Sequence, residues 1–385
     1  MKKLRKFFQA AAFLTAAAVA VPFGLAQQPG IQDYMGELQL FSRTLGAILE
    51  GYVDDVSPRK MFYEAVRGMM QSLDPYSEFI DPEKYELMRI SIKGEYAGIG
   101  TWIQERQGEI FIERINEGSA ADKAGLLAGD KILKIDGDPV VGKDVAAIGR
   151  LLRGEEGVAV RLTVFRAKKT FDVKVVRETI QIDAVKDIRI VGRAVGYFSI
   201  SDFQEHTAQQ VDKAIETLAK QKMEALIIDL RGNQGGLMTQ AVALAGRFLP
   251  KGSVVLRVKS KIGVQQGDHR IEEDYNIYKK PVVILVNQLS ASASEIFSAA
   301  MQDYGRARLV GMKTYGKASV QSVVPLDEKS AMKLTTARYL SPKGRKIDGI
   351  GIEPDLVVED GTPENPNAQN QIRAALQLLK QQYEA

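Results

Sequence analysis

The sequence contains no cysteine and only two histidines, His206 and His269. Without cysteine the chain forms no disulfide, and it has no thiolate for nucleophilic catalysis or for a metal site. Two histidines are too few for a multi-histidine metal centre, and neither lies in a catalytic pattern. We therefore expect no metal and no cofactor, and the reactive groups must come from serine, lysine and the carboxylates.

The excess of positive charge is confined to the N-terminus. The formal net charge is +4, but residues 1–26 hold four of the 52 basic residues and no acid, which leaves 48 basic against 48 acidic residues in 27–385. This balance gives no reason to expect nucleic acid as a partner.

Residues 1–26 combine a basic start, an alanine-rich apolar run and the small residues Gly24-Leu25-Ala26. This pattern is typical of a signal peptide cleaved after Ala26, and it predicts export to the periplasm or cell envelope. The alternative is an uncleaved inner-membrane anchor, since residues 7–25 are nearly long enough to span a bilayer. The alanine content and the small residues favour cleavage.

The composition of successive segments predicts an α/β multidomain protein. Its parts are the signal peptide (1–26), an N-terminal helical region (27–85), a strand-rich region with frequent glycine turns (86–178), a core of alternating strands and helices (179–360) and a C-terminal helix (361–385). The helical front could pack on the body or pair with another subunit. Residues 177–187 are typical of a linker into the core.

A strand, a tight turn and a helix are predicted over residues 281–304. Residues 281–286 are continuously apolar, 287–294 are small and polar, and 295–304 have apolar residues at helical spacing. A serine in this turn lies on a sharp bend beside the positive end of a helix. The arrangement is similar to the nucleophile elbow of hydrolases, although the sequence G-x-S-x-G is absent.

Three serines occupy this turn, Ser290, Ser292 and Ser294, and composition does not choose among them. Ser292 and Glu295 also fit the S-x-x-E capping box, in which the two side chains only cap the helix. Capping serines are far commoner than nucleophiles.

Lys317, Ser319 and Gln321 follow at a spacing of two and would share one face of a strand. A lysine held in a partly dry site has a lowered pKa and can act as a general base. The alternatives are a solvated surface lysine and a phosphate-binding loop, since residues 311–317 fit G-x-x-x-x-G-K. Ala318 stands where such a loop needs Ser or Thr, so we expect no nucleotide.

The runs SASASEI (290–296) and TYGKASVQ (314–321) together resemble the carboxyl-terminal processing peptidases, or tail-specific proteases. The resemblance extends from about residue 72 to 358. It implies that Ser292 is the nucleophile, Lys317 the general base and Gln321 the amide that orients the lysine.

The same resemblance implies an oxyanion hole. One donor would be the N–H of Ala293, and the other would come from the loop DLRGNQGG at residues 229–236. The choice between Gly235 and Gly236 stays open, and both glycines would also serve a tight turn.

Residues 118–140, GSAADKAGLLAGDKILKIDGDPV, resemble part of a PDZ domain. Such domains add an extended peptide to a sheet edge and bind its terminal carboxylate with backbone N–H groups. The resemblance places this carboxylate loop at Tyr96, Gly98, Ile99, Gly100 and Thr101. The glycines alone would fit an ordinary hairpin.

A last segment that resembles the family, residues 337–355, contains Arg338 and Asp355, which could form an ion pair. Together these patterns predict an exported serine endopeptidase that recognises apolar C-terminal tails of proteins or peptides and cleaves by a Ser–Lys dyad. A homodimer or an adaptor protein could be a further partner. The alternative function is a catalytically silent peptide-binding adaptor or chaperone. Because a lysine base must be neutral, we expect activity at neutral to alkaline pH.

Overall fold

The computed structural model describes residues 34–260, 266–275, 277–327, 330–359 and 369–383. The predicted signal peptide and its alternative, the anchor at 7–25, lie outside these ranges. No helix within them has both the length and the apolar character needed to cross a membrane.

The secondary structure follows the predicted order of helical front, strand-rich middle and layered core. The helices are α1 (Met35–Gly51), α2 (Pro58–Gln71), α3 (Pro82–Lys93), α4 (Ala120–Lys123), α5 (Val145–Leu152), α6 (Thr207–Lys220), α7 (Met238–Ala245), α8 (Ala293–Asp303) and α9 (Asn370–Tyr383). The strands are β1 (Glu78–Ile80), β2 (Glu95–Gly98), β3 (Thr101–Arg106), β4 (Glu109–Ile115), β5 (Lys131–Ile135), β6 (Asp138–Pro139), β7 (Ala159–Arg166), β8 (Lys169–Val176), β9 (Glu178–Gln181), β10 (Val185–Val191), β11 (Val195–Ile200), β12 (Ala225–Asp229), β13 (Val254–Ser260), β14 (Gly267–Arg270), β15 (Val282–Val286), β16 (Arg308–Gly311), β17 (Ser319–Pro325), β18 (Ala331–Leu340) and β19 (Leu356–Val357).

The core sheet has the strand order β10-β11-β12-β15-β16-β19. All pairs are parallel except that of β10 with β11. Every residue of β12 and β15 is buried, as expected for parallel strands covered on both faces. Helices α6, α7 and α8 pack on one face and α9 packs on the other. The predicted α/β class is confirmed.

A second, antiparallel sheet is built around β18. This strand pairs with β17 along one edge, and along its other edge with β1 near its start and β13 near its end. Because β1 follows α2 in the chain, the sheet joins the N-terminal helices to the C-terminal part of the core.

The strand-rich middle is an inserted module with its own apolar core. Its sheet has the order β3-β4-β5-β7-β8, with β6 on β5. The chain enters the module through β2 and leaves it through β9, and these two strands pair antiparallel, with Glu95 opposite Gln181.

Two expectations are wrong. Residues 177–187 are not a plain linker, because they include β9 and the start of β10; the alternating half-buried and exposed residues of β9 find a partner in β2, which lies far away in the sequence. Arg338 pairs with Asp348, with 3.0 Å between Nε and Oδ2, whereas Asp355 accepts the N–H of Leu309.

Candidate active site

Ser292 occupies the sharp turn that separates β15 from α8. Its backbone has φ 54° and ψ −114°, a conformation that residues other than glycine rarely adopt. The Glu295 half of the predicted capping box is present, since the N–H of Ser292 donates to Glu295 Oε2 at 2.9 Å. The half-buried Ser292 is therefore presented at the N-terminus of α8 by a strained backbone.

The neighbouring serines have structural partners. Ser290 Oγ donates to the carbonyl of Leu230 at 2.8 Å, and Ser294 Oγ donates to the carbonyl of Asn233 at 3.0 Å. Both serines are fully buried. They attach the turn that carries Ser292 to the loop after β12.

Lys317 lies between β16 and β17, and its Nζ is 5.0 Å from the centroid of the Tyr76 ring. Burial lowers the pKa of the Lys317 ammonium, and the like charge of Lys333 lowers it further, whereas Glu78, Asp74 and Glu295 oppose the shift. No hydrogen bond joins the side chains of Ser292 and Lys317 in the described part of the chain.

Gln321 does not hydrogen-bond to Lys317. Its Nε2 donates to Ser319 Oγ at 2.7 Å and, more weakly, to Thr335 Oγ1 at 3.4 Å. Ser319 and Gln321 therefore contact each other as the spacing predicts, while Lys317 precedes the strand.

The turn before β1 supplies residues that the sequence analysis did not assign to the site. Asp74 Oδ2 accepts the hydroxyl of Ser77 at 2.7 Å, and Ser77 Oγ accepts the N–H of Thr335 at 3.1 Å. With Tyr76 between them, these residues bring the N-terminal region against Lys317. No local pattern could reveal the contact, because it joins segments at opposite ends of the sequence.

The loop after β12 lies beside Ser292. A Cβ placed on Gly235 would be 2.8 Å from Ser292 Cβ and 3.0 Å from the nitrogen of Ala293, so only glycine allows this approach. The N–H of Gly235 donates to Asn233 Oδ1 at 2.8 Å. Among the described residues, no acceptor contacts the N–H groups of Gly236 and Ala293.

The predicted carboxylate loop joins β2 to β3. Tyr96 and Gly98 lie in β2, which pairs with β9, and Thr101 begins β3, the edge strand of the inserted sheet. Gly100 has φ +82°, and a Cβ there would be 2.3 Å from Ser119 Cβ. In the described chain the N–H groups of Ile99 and Gly100 have no acceptor, so two backbone donors are left without a protein partner next to the edge strand β3.

Within the described ranges no three histidine or carboxylate side chains cluster as metal ligands would.

Comparison with known proteins gives the family. The family described as "Peptidase family S41" matches residues 194–358, and a PDZ domain matches residues 111–166. The chain is 36% identical over 365 residues to the carboxy-terminal-processing protease of Bartonella bacilliformis, covering 93% of this chain and 83% of that protein. It is 36% identical over 314 residues to the carboxy-terminal processing protease CtpA of Bacillus subtilis, covering 81% of this chain and 67% of that protein.

Among solved structures, a photosystem II D1 C-terminal processing protease is 27% identical with a TM-score of 0.46, covering 84% of this chain and 93% of that chain. The length and identity of the match to the curated relatives decide the assignment. This chain belongs to the carboxy-terminal-processing proteases of peptidase family S41 and contains a PDZ domain.

Proposed function

We propose that the protein is a serine endopeptidase that works through a dyad of Ser292 and Lys317. Ser292 Oγ attacks the scissile carbonyl while the neutral amine of Lys317 takes its proton, which then passes to the leaving amine. Water hydrolyses the resulting acyl-enzyme. The observation that carries the proposal is a serine on a strained turn at a helix N-terminus, close in the fold to a lysine whose pKa is lowered by burial.

Gln321 is proposed to orient the lysine. Its amide nitrogen is held by Ser319, so its carbonyl oxygen is the group that would accept a hydrogen bond from Lys317 Nζ. This contact would form when substrate fills the site, since catalytic hydrogen bonds often tighten only in the complex.

Ala293 and Gly236 are proposed to donate to the oxyanion. Their N–H groups have no acceptor among the described residues, whereas the N–H of Gly235 is already bonded to Asn233. Gly235 has a different role: because it has no side chain, it lets the loop approach Ser292 closely, and this approach brings the two N–H donors beside the serine. Two backbone donors fixed before the reaction are the arrangement that stabilises a tetrahedral oxyanion.

The PDZ domain is proposed to bind the C-terminal tail of a substrate. A peptide added to β3 as a further strand would place its terminal carboxylate at the N–H groups of Ile99 and Gly100. An apolar tail residue suits this site, because Ile99 is buried in the module core beside it.

Export is proposed for the protein, with residues 1–26 as the signal peptide and the periplasm or cell envelope as its location. N-terminal sequencing of the protein purified from a bacterial envelope tests this. We expect it to begin at Gln27, and an intact N-terminus would favour the membrane anchor.

A second copy of the chain is proposed to bind the N-terminal helices. No residue of α1 is buried, and Leu38, Leu40 and Phe41 are exposed there. An adaptor protein is the other candidate for this surface. Sedimentation of residues 27–385 tests the proposal: a mass of one chain at micromolar concentration contradicts it.

The dyad is tested with residues 27–385 and a disordered protein substrate that ends in an apolar residue. We expect Ser292→Ala and Lys317→Ala to lose cleavage while staying folded. Ser298→Ala is the matched control, because Ser298 Oγ on the same helix is buried and has no hydrogen-bond partner among the described residues. Lys313→Ala, which breaks only an exposed ion pair with Glu353, is the control for the lysine.

The outcomes separate the two functions. If all five proteins cut alike, the dyad is wrong. If none cuts but the wild type binds the tail, the silent adaptor or chaperone becomes the better explanation.

A further inference from the structure

Glu295 is a fully buried carboxylate that the dyad mechanism does not use. Its Oε2 accepts the backbone N–H of Ser292 at 2.9 Å and that of Lys317 at 2.8 Å. Its Oε1 accepts the hydroxyl of Thr314 at 2.5 Å and the N–H of Gly316 at 2.8 Å. One oxygen thus contacts both residues of the dyad, and the other holds the segment just before Lys317.

Tyr339 on β18 makes the complementary contact from the carbonyl side. Its hydroxyl lies 3.0 Å from the carbonyl oxygen of Ser292 and 2.6 Å from that of Lys317. The hydroxyl has one proton to donate, so the two carbonyls share it. The ring is buried and leaves the hydroxyl no route to solvent.

Building on the proposed dyad, we propose that Glu295 and Tyr339 are positioning residues that hold Ser292 and Lys317 in register. The carboxylate binds the N–H groups of the two residues and the phenol binds their carbonyls. The nucleophile and the base come from different segments, one after β15 and one after β16. In the described chain their side chains do not hydrogen-bond to each other, so backbone contacts hold them at their separation: those of Glu295 and Tyr339, and the bond from the N–H of Tyr315 to the carbonyl of Ser290.

The ionised form of Glu295 suits the site. Four donors point at its two oxygens, and a protonated carboxyl would turn one oxygen into a donor facing other donors. Burial raises the pKa of Glu295, and the four hydrogen bonds oppose that effect. Glutamine at this position would present an NH₂ group to two of the donors. Aspartate would keep the charge, but its side chain is one methylene shorter and would not reach all four donors.

The test measures kcat, KM and the pH profile of cleavage for Glu295→Gln, Glu295→Asp and Tyr339→Phe. We expect kcat to fall about 10–100-fold in both Glu295 variants, because a small displacement of reacting groups costs that much. We expect a fall of about 3–10-fold in Tyr339→Phe, where one shared hydrogen bond is lost. KM should stay within about 2-fold, since neither residue contacts substrate.

The pH profile distinguishes the loss of the negative charge at position 295 from a change in side-chain length that keeps the charge. The groups that face Lys317 are Glu295, Glu78, Asp74 and Lys333, with the ring of Tyr76. Removing the negative charge in Glu295→Gln lowers the pKa of Lys317, so the acid limb of activity moves to lower pH. In Glu295→Asp and Tyr339→Phe the limb should stay in place. A purely structural role would not produce this difference.

Matched controls lie at the other end of α8. Asp303→Asn removes a buried carboxylate that accepts the N–H of Lys343 at 2.9 Å, and Tyr304→Phe removes a hydroxyl that accepts the N–H of Val254 at 3.1 Å. Both should keep kcat within about 2-fold of the wild type, because neither change reaches the dyad.

The proposal is overturned if folded Glu295→Gln and Tyr339→Phe keep wild-type kcat, or if the controls lose as much. If circular dichroism shows that Glu295→Gln is unfolded, the kcat of Tyr339→Phe alone tests the proposal. Cleavage by Ser292→Ala would instead refute the dyad itself, so the two failures are distinguishable.

Discussion

At the scale of single residues, the backbone of Ser292, the proposed nucleophile, is strained. A φ of 54° with ψ −114° costs an L-residue on the order of 1–3 kcal/mol. The cost is offset by the hydrogen bonds of Glu295, Ser290 and Ser294 around the turn. Glycine would adopt this conformation freely but has no hydroxyl.

This strain predicts a difference between two inactive variants, Ser292→Gly and Ser292→Ala. Glycine relieves the strain and loses about 0.5–1 kcal/mol through backbone entropy, which leaves a net gain of about 1 kcal/mol over alanine. Thermal unfolding of the two variants should therefore differ, with Ser292→Gly melting roughly 1–2 °C higher. A higher melting temperature for Ser292→Ala would contradict the strained conformation.

The strand, turn and helix around Ser292 could be predicted from the sequence, but the choice of Ser292 as the proposed nucleophile could not. Ser290, Ser292 and Ser294 have the same chemistry, and what distinguishes Ser292 in the fold is its positive φ, which depends on tertiary contacts. The resemblance to the family selected Ser292. The approach of Gly235 to within van der Waals distance of the turn was equally invisible, because it joins two strand ends that are neighbours only in the folded sheet.

At the scale of elements, the pairing of β1 with β18 brings charge near Lys317, the proposed base. Lys333 on β18 donates to Glu78 on β1 at 2.7 Å. Glu78 raises the pKa of Lys317 and Lys333 lowers it. The pair is partly exposed, so each charge acts on Lys317 through a screened interaction.

Removing one charge of this pair at a time should move the pH profile in opposite directions. Glu78→Gln lowers the pKa of Lys317 and shifts the acid limb to lower pH, whereas Lys333→Gln raises the pKa and shifts the limb to higher pH. Part-exposed charges interact by about 0.2–1 kcal/mol, so each shift is about 0.2–0.7 pH unit. The double variant should return to nearly the wild-type profile in the same cleavage assay. Shifts of the same sign would show that the base is not Lys317.

At the scale of the whole molecule, the PDZ domain is attached to the core by a pair of strands. The N–H of Ile182 after β9 donates to the carbonyl of Gly94 before β2 at 2.7 Å. A Cβ on Gly94 would be 2.3 Å from Gln204 Oε1, so the attachment also packs on the core.

The order of the modules along the chain could be predicted from composition and turn patterns. Their attachment could not, because β2 and β9 are short strands on either side of the module, and in the described chain each pairs with the other and with no third strand.

The attachment suggests that tail binding acts by holding substrate near the protease core, which predicts an effect on KM. A substrate whose C-terminus is amidated should have a KM about 10-fold higher than the free acid, because it cannot form the charge-assisted hydrogen bond proposed at the N–H groups of Ile99 and Gly100. Its kcat should be unchanged.

Two glycine variants make this prediction specific. Gly100→Ala should raise KM for the free acid and abolish the difference between acid and amide, because its Cβ collides with Ser119. Gly108→Ala is the control: it imposes the same strain at φ +77° in the hairpin between β3 and β4, where no atom of the described chain lies within 4 Å of the new Cβ. It should retain the difference. Equal KM values for acid and amide in the wild type would mean that the carboxylate is not what the PDZ domain binds.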